Sequence, residues 1–348
     1  MNVFKVVGDF FALDIGSGAI RAVQLKPSGS GWLLQMVGSV SISMKVAMSD
    51  APEDQKKLSE AITTLVGQTG IRTKNVVLGI PSAKMFATVV DVPAMSKEEL
   101  ASTIKYQAEQ YVPMSLDESK IDWDVLGKSP NDPSKNEVLL VTVANSFTES
   151  RLDLLEELGF NVIAIEPDSL ALARALVASG SSTVQILVNV SDSSTDIVLV
   201  YGDTPRLIRS VPTGLQSLTK AAVQNLNIQD EQALQFIFKF GVLADRLEGQ
   251  VLRALDSTID QLTSEIVKSI KFFETRYPAT PIDGVSLTGY GATIPGFTEY
   301  VASKTTLPTT TANPWSQIAM SNADKQRLAD TAGTYTIAIG LAMRKEGL

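Results

Sequence analysis

Leu13-Asp14-Ile15-Gly16-Ser17-Gly18 is the stretch that decides the fold, because it joins two runs of strand-forming residues, 10–15 and 19–25. Apolar, β-branched and aromatic residues favour strands, and the polar, glycine-rich residues between these runs favour a tight turn. The pattern predicts a β-hairpin whose turn presents successive backbone N–H groups, which suits an anion. An ordinary hairpin with a buried aspartate capping its turn is the plainer interpretation. The candidate residues for phosphate are Asp14, Gly16, Ser17 and Gly18, with Asp14 also a candidate for magnesium.

An altered copy of this pattern occurs at residues 186–200, where two strand-like runs again flank a polar turn. Asn189-Val190-Ser191 stands where the first copy has Asp14-Ile15-Gly16. Two such hairpins that face each other could hold the phosphates of a nucleotide between them. The second copy lacks both the acid and the glycine, so only the first is complete.

Composition excludes several classes of activity. The chain has 348 residues, a formal net charge of −8, and neither cysteine nor histidine. A nucleic-acid partner is not expected, because a phosphate backbone requires a basic surface. Disulfides, catalytic thiolates, Ser-His-Asp triads and histidine zinc sites are excluded because their residues are missing.

The length and hydropathy pattern indicate a two-lobed cytoplasmic protein. A chain of this size is long for one hydrophobic core. No segment approaches the roughly 20 consecutive apolar residues that a membrane helix needs. We therefore expect no direct insertion into a membrane.

Turn and breaker residues divide the chain into predicted units. Residues 82–146 have a β-α-β-β pattern, in which Ser96 and Glu99 form a capping box for a helix that reaches about Gln110. A later helix carries an apolar stripe at Ile259, Leu262, Ile266, Ile270 and Phe273. Pro295 suits the first turn of another helix. The predicted divisions are a first-lobe core at 1–81 and 147–180 with a packed C-terminal helix at 331–345, the insert at 82–146, a second-lobe core at 183–214 and 283–330, and a helical subdomain at 215–282.

The two hairpins and the glycine-rich turn at 289–292 together resemble the actin-like superfamily of sugar kinases, heat-shock chaperones and actins. In that superfamily the corresponding elements are two phosphate hairpins and an adenosine loop. The resemblance implies an α/β, two-lobed actin-like (ribonuclease H-like) fold with a β-α-β-β insert in the first lobe.

A closer resemblance covers nearly the whole chain. The matching segments are Leu13–Ser17, Ala22–Leu25, Leu78–Pro81, Val92-Pro93, Glu109–Pro113, Arg209–Pro212, Phe272-Phe273 and Gly340–Ala342. In order and spacing they look like the family of the type IV pilus assembly protein PilM. The most specific part is the helix followed by Tyr-x-Pro inside the insert.

That resemblance implies a cytoplasmic component of the pilus machine, with a role in twitching motility. Such a scaffold would bind the cytoplasmic N-terminal tail of the inner-membrane protein PilN and contact the motor ATPases. Self-association is a further expectation. The tail would lie in a groove between the first lobe and the insert, although simple packing of a helix end explains the same residues. The candidate partner-binding residues are Val92, Pro93, Tyr106, Tyr111 and Pro113.

The chain departs from the family pattern at four nucleotide-binding elements. Asn189 and Ser191 replace the acid and glycine of the second hairpin, and Thr213-Gly214 replaces a Gly-Gly. Apolar residues occupy the polar positions of the helix at 233–237, and Tyr290 enters the adenosine loop between Gly289 and Gly291. The loss of charged contacts and of backbone access predicts that binding of ATP and magnesium is weakened or lost. We therefore expect a binding protein and not an enzyme.

Three alternatives remain open from the sequence. The first is an active enzyme, either a sugar kinase or an ATPase whose nucleotide state gates partner binding. The second is a filament-forming division protein like FtsA, although no membrane tether is visible at Arg344–Leu348. The third is the cytoplasmic part of a type II secretion protein.

Overall fold

A computed structural model describes residues 9–345, so the first eight residues of the predicted first lobe and residues 346–348 lie outside it. The strands, in chain order, are β1 Phe10–Ile15, β2 Ala19–Ser28, β3 Gly31–Ser41, β4 Asn75–Ile80, β5 Met85–Pro93, β6 Ser119–Lys128, β7 Lys135–Ala144, β8 Asn161–Pro167, β9 Val184–Val190, β10 Thr195–Tyr201, β11 Thr204–Val211, β12 Gly284–Gly289, β13 Thr309–Thr311 and β14 Ile318–Ala319. The helices are α1 Met44–Met48, α2 Pro52–Thr69, α3 Lys97–Ala108, α4 Asn145–Glu157, α5 Asp168–Leu176, α6 Leu215–Leu226, α7 Asp230–Phe240, α8 Gln250–Arg276, α9 Phe297–Thr305, α10 Asn322–Leu328 and α11 Thr336–Ala342. None of these helices is long and apolar enough to cross a bilayer.

Two sheets repeat one topology, which confirms the two-lobed fold predicted from the duplicated hairpin. The first sheet has the order β14-β3-β2-β1-β4-β8, and the second has the order β11-β10-β9-β12-β13. The first sheet has one extra strand, β14, which pairs parallel with β3. Otherwise three antiparallel strands in each sheet are followed by two parallel ones, so β1, β2, β3, β4 and β8 correspond to β9, β10, β11, β12 and β13. The parallel strands need crossover helices, which cover both faces of each sheet.

Two helices pack between the sheets and hold the lobes together. Buried residues of α5 and α11 form one core with Ala12 and Val77 of the first sheet and with Leu187 of the second. The two helices approach very closely, because a Cβ atom on Gly340 would lie 1.9 Å from the carbonyl oxygen of Ala171. The outer face of the first sheet packs on α2, and that of the second packs on α6 to α9.

The insert is a separate three-stranded sheet in the order β5-β7-β6, with α3 on one face. Its β-α-β-β sequence pattern is confirmed, as is the capping box: Ser96 Oγ accepts from Glu99 N, and Glu99 Oε2 accepts from Ser96 N. The helix ends at Ala108, two residues before the predicted end. The exact boundaries of the predicted domains stay a prediction.

Two helix predictions were wrong in their limits. The helix expected at 331–345 is a 3₁₀ turn at Ala329–Tyr335 followed by the shorter α11. The tight turn brings Gly333 against the backbone of Gly289, with 2.8 Å between Gly289 N and a Cβ at Gly333. Pro295 lies before α9 and not in its first turn, because its carbonyl accepts from Val242 N and Gly296 is the N-cap. The predicted stripe on α8 is buried throughout.

Candidate functional site

A cleft between the lobes contains most of the predicted nucleotide-binding residues. The turn between β1 and β2 faces the turn between β9 and β10 across a cavity of about 180 Å³. The predicted residues that line it are Asp14, Gly16, Ser17, Asn189, Ser191, Gly289 and Tyr290. Four other predicted residues lie near the cleft but do not line it, namely Gly18, Thr213, Gly214 and Gly291.

The first turn places a buried acid beside a buried cation. Gly16 N donates to Ala19 O at 3.1 Å and closes the turn. Asp14 and Arg21 are cross-strand partners, with 4.0 Å between Asp14 Oδ2 and Arg21 Nη1. Burial raises the pKa of Asp14 to about 6, and Arg21 only partly offsets it; the nearby Asp192 raises it further. This turn can therefore hold a proton on Asp14 close to neutral pH.

The second turn is held by its own side chains. Asn189 Nδ2 donates to Ser191 Oγ at 3.2 Å, and Ser191 N donates to Ser194 O at 2.8 Å. Gly214 is packed against this turn, since a Cβ there would lie 2.6 Å from Ser191 O. The substitutions at Asn189 and Ser191 thus form local bonds instead of leaving polar groups directed at a ligand.

The two turns contact each other directly. Ser193 Oγ donates to Ser17 Oγ at 2.8 Å, and the carboxylate of Asp192 lies over Gly18. The hydroxyl of Tyr290 donates to Asp192 Oδ1 at 3.1 Å, while its ring packs 6.0 Å from that of Phe238. Tyr290 thus lies across the cleft, between Asp192 and Phe238.

Acidic side chains dominate the cleft. Among the described residues that line it, Asp14, Asp168, Asp192 and Asp196 are acids, against the cations Arg21 and Lys84. Burial raises the pKa of Asp196 to about 6, and burial together with Asp14 and Asp196 raises the pKa of Asp168. Asp14, Asp192 and Asp196 thus each raise the pKa of another carboxyl in the cleft.

The cleft combines one predicted magnesium ligand with three further acids. Within residues 9–345, no three carboxylate, histidine or cysteine side chains converge closely enough to share a metal ion. Asp192 fills space over the first turn, and an acidic lining repels phosphate oxygens. Asp14 alone among the predicted residues offers a carboxylate to magnesium.

Sequence reasoning missed Arg21 and Asp168. Arg21 could have been found from hairpin register, because a turn at Gly16–Gly18 pairs Asp14 with Arg21. Asp168 follows β8 directly, at the carboxyl edge of the sheet, where sites in open α/β sheets occur. That signal was visible only once β8 was placed beside β4.

A second candidate site is a groove under the insert sheet, which we call the insert groove. It has a volume of about 290 Å³ and lies on the sheet face opposite α3, against the first lobe. Its apolar lining includes Met85, Leu139, Val141, Val143, Ile165 and Leu170. One wall is the edge strand β6, including Trp123.

The five predicted partner-binding residues do not line the insert groove. Val92 is fully buried under α3, on the face opposite the insert groove, and its assignment stays a prediction. The physical reason is strand alternation: Val90 and Val92 face α3, whereas Leu139 and Val141 face the other side. The remaining four are exposed elsewhere on the insert: Pro93, Tyr106, Tyr111 and Pro113.

A buried ionic cluster joins the insert to the second lobe. Glu137 on β7 accepts from Arg276 Nε at 2.8 Å and from the Tyr277 hydroxyl at 2.7 Å. Arg276 also donates to Asp91 on β5, and Arg206 lies 3.7 Å from Glu137. Glu137 shares its sheet face with Leu139 and Val141, so the insert groove and this cluster lie along one strand.

Comparison with known proteins agrees with this architecture. A solved PilM–PilN type IV pilus biogenesis complex has a TM-score of 0.81 and 21% identity, covering 97% of this chain and 98% of that one. EutJ from Carboxydothermus hydrogenoformans has a TM-score of 0.57 and 14% identity, over 96% of this chain and 88% of its own. MreB5 of Spiroplasma citri bound to ADP has a TM-score of 0.54 and 13% identity, over 96% and 95%.

The duplicated sheets and the cleft between them define an actin-like protein. The family model described as type IV pilus assembly protein PilM matches residues 12–346. The chain belongs to the type IV pilus assembly protein PilM family.

Proposed function

We propose that this protein is a scaffold of type IV pilus assembly that binds the cytoplasmic N-terminal tail of a PilN-like inner-membrane protein. Family membership and the similarity to a PilM–PilN complex support this role. The observation that carries the proposal is the insert groove, an apolar channel of about 290 Å³ bounded by an unpaired strand edge. Its shape suits an extended peptide.

The chemistry of the insert groove predicts how the tail is held. Within residues 9–345 no strand pairs with the outer edge of β6, so an extended segment could add there as a further strand. Trp123 N, which donates to Asp122 Oδ1, would have to exchange that bond. Apolar anchors of the tail would enter between Leu139, Val141 and Ile165. Asp122 and Asp124 outnumber Lys120 on the β6 wall and favour a basic residue beside those anchors.

Peptide titration tests the proposed location. Val141→Lys places a charge inside the groove, and the variant should fold because Asp122 is its cross-strand partner. We expect affinity for a labelled PilN-like N-terminal peptide to fall about tenfold or more, measured by fluorescence anisotropy. Tyr106→Lys is the matched control, because Tyr106 is 73% exposed on the α3 side. A loss of binding in the control but not in Val141→Lys would place the tail at α3 and sink the proposal.

The nucleotide site is part of the same proposal, and we propose that it binds ATP weakly or not at all. Support comes from the acidic lining, the local bonds of Asn189 and Ser191, and the position of Tyr290. Calorimetry with magnesium ATP should give no affinity tighter than roughly millimolar. Micromolar, magnesium-dependent binding that Asp14→Ala abolishes would contradict it.

An ATPase whose nucleotide state gates partner binding is the second candidate. It is favoured by the first turn, where Asp14, Gly16 and Ser17 all line the cleft. One measurement, the peptide affinity with and without magnesium ATP, distinguishes the scaffold from the gated ATPase. Peptide affinity should be the same with and without magnesium ATP for a scaffold, and should change for a gated ATPase.

Attachment to the inner membrane through the partner, and contact with the motor ATPases, complete the proposal. Family membership supports both. The net charge of −8 disfavours direct adsorption to anionic lipid. Flotation with anionic vesicles should recover the protein only when a full-length PilN-like protein is embedded in them. If the protein floated with vesicles that lack the PilN-like protein, attachment through that partner would be contradicted.

A further inference from the structure

Asp192 occupies the space between the two turns. A Cβ atom built on Gly18 would lie 2.1 Å from Asp192 Cγ and 2.2 Å from Oδ1, so the carboxylate rests directly on the glycine. This contact joins the lobes, because Gly18 follows β1 and Asp192 follows β9. Any side chain at residue 18 would displace it.

Further contacts hold Asp192 in this position. Tyr290 donates its hydroxyl to Asp192 Oδ1 at 3.1 Å, and the neighbouring Ser193 donates to Ser17 across the cleft. The backbone is fixed as well, since Asp192 O accepts from Gln216 N at 2.9 Å at the start of α6. The carboxylate is therefore positioned by both lobes and by the loop after β12.

A carboxylate resembles a phosphate group in its negative charge and its acceptor oxygens. A phosphate held between the two turns would need the same space over Gly18 and would meet the charge of Asp192. The two anions exclude each other by volume and by charge.

We propose that Asp192 is a built-in occupant of the anion position between the two turns, which excludes phosphate groups and holds the lobes closed without a ligand. The proposal rests on the weak nucleotide site proposed above and supplies its cause. Asp192 is then the residue that decides whether the cleft accepts a phosphate group. Removing its side chain should loosen the lobes and admit a small polyphosphate.

Distance measurement between spin labels tests this in the full chain. The protein contains no cysteine, so Glu60→Cys on α2 and Lys220→Cys on α6 provide unique exposed labelling positions in the two lobes. Asp192→Gly is the test variant. Asp245→Gly is the matched control, since it removes the same charge from a side chain that is 77% exposed. Pyrophosphate at roughly millimolar concentration is the anion probe.

We expect one narrow distance distribution in the parent and in Asp245→Gly, with no change on adding pyrophosphate. In Asp192→Gly the distribution should broaden, and pyrophosphate should narrow it again. A distribution in Asp192→Gly as narrow as that of the parent overturns the closing role. If the distribution in Asp192→Gly broadens but pyrophosphate does not narrow it, the Asp192 carboxylate does not occupy a phosphate position, and that part of the proposal is overturned.

A replacement variant and a separate set of measurements keep the result interpretable. If Asp192→Gly does not fold by circular dichroism, Asp192→Ser provides the same test with a residue that favours turns. Failure of either expectation leaves the proposed scaffold role standing, because peptide titration tests the insert groove. It also leaves the weak ATP affinity to be decided separately, because calorimetry on the parent protein measures that affinity whatever its cause.

Discussion

Asp14 and Arg21 lie opposite each other in the first hairpin, with 4.0 Å between a carboxylate oxygen and a guanidinium nitrogen. Both side chains are buried, and the guanidinium also lies 5.9 Å from the ring centre of Tyr335. Arg21 thus lies beside a buried acid in a cleft lined by three others. Its role is to neutralise charge in the cleft, whether or not an anion binds there.

Replacing Arg21 by Met should destabilise the protein, because it leaves Asp14 buried without its partner. Removal of one member of a buried pair costs about 3–5 kcal/mol, and we expect the lower end here since Asp14 can bind a proton. The loss should be larger at pH 8 than at pH 5. Urea unfolding at both pH values measures it. Arg21→Lys keeps the charge and should retain most of the stability; equal losses in both variants would argue against the charge explanation.

The buried carboxyls should make stability fall as pH rises through the acid range. Asp14 and Asp196 have pKa values raised from 3.8 to about 6 in the folded protein. Between these values the folded state binds more protons than the unfolded state, so each step up in pH lowers the free energy of unfolding. Above the folded pKa this contribution is constant.

Asp196→Asn tests that contribution. The variant should be more stable than the parent by about 2–3 kcal/mol at pH 7.5, and by little at pH 4. Thermal and urea unfolding at the two pH values provide the measurement. Asp245→Asn, an exposed position, should show no such difference. A stabilisation of Asp196→Asn that is independent of pH would contradict the assignment to charge.

A double-mutant cycle should reveal strong coupling between Glu137 and Arg276. The two side chains form a hydrogen-bonded ion pair that is mostly shielded from water. We expect a coupling energy of about 1–3 kcal/mol from alanine variants in urea unfolding. The exposed pair Asp245 and Arg246 is the control, with an expected coupling near zero. Similar coupling in both pairs would mean that the cluster does not stabilise the contact between insert and second lobe.

Gly340→Ala should be strongly destabilising. The added Cβ would lie 1.9 Å from Ala171 O, and that backbone atom cannot move without shifting α5. We expect a loss of about 2–3 kcal/mol or more in thermal unfolding. Gly67→Ala is the control, because Gly67 lies in α2 with nothing within 4 Å of an added Cβ. That variant should gain about 0.5–1 kcal/mol from helix propensity. A neutral Gly340→Ala would show that the two helices can separate at little cost.

The fold could be predicted because its deciding signals are local. The turn at Gly16–Gly18 and its altered copy define two hairpins, and each hairpin starts one of two sheets with the same strand order. The buried stripe of α8 and the capping box of α3 depend on residues three or four positions apart. Such patterns need no knowledge of tertiary contacts.

The predicted partner-binding residues and the insert groove lie on opposite faces of the insert sheet, and the sequence does not contain the reason. Strand alternation indicates that Val92 and Leu139 point to opposite sides of the insert sheet, but not which side α3 covers. The close approach of Gly333 to Gly289 is similar, because it shortens α11 through a contact between distant segments. The contact of Asp192 with Gly18 likewise depends on how the two lobes meet.

The ionic cluster around Glu137 has a mechanical consequence. A tail added to β6 would pull along the strands of the insert sheet, and the hydrogen bonds of a sheet run perpendicular to its strands. Such a pull loads many of these bonds in shear at once, the direction in which a strand resists extraction best. Glu137 passes the remaining force to Arg276 and thus into the 27 residues of α8. Tension from a membrane-anchored partner would be spread through both lobes instead of peeling the insert away.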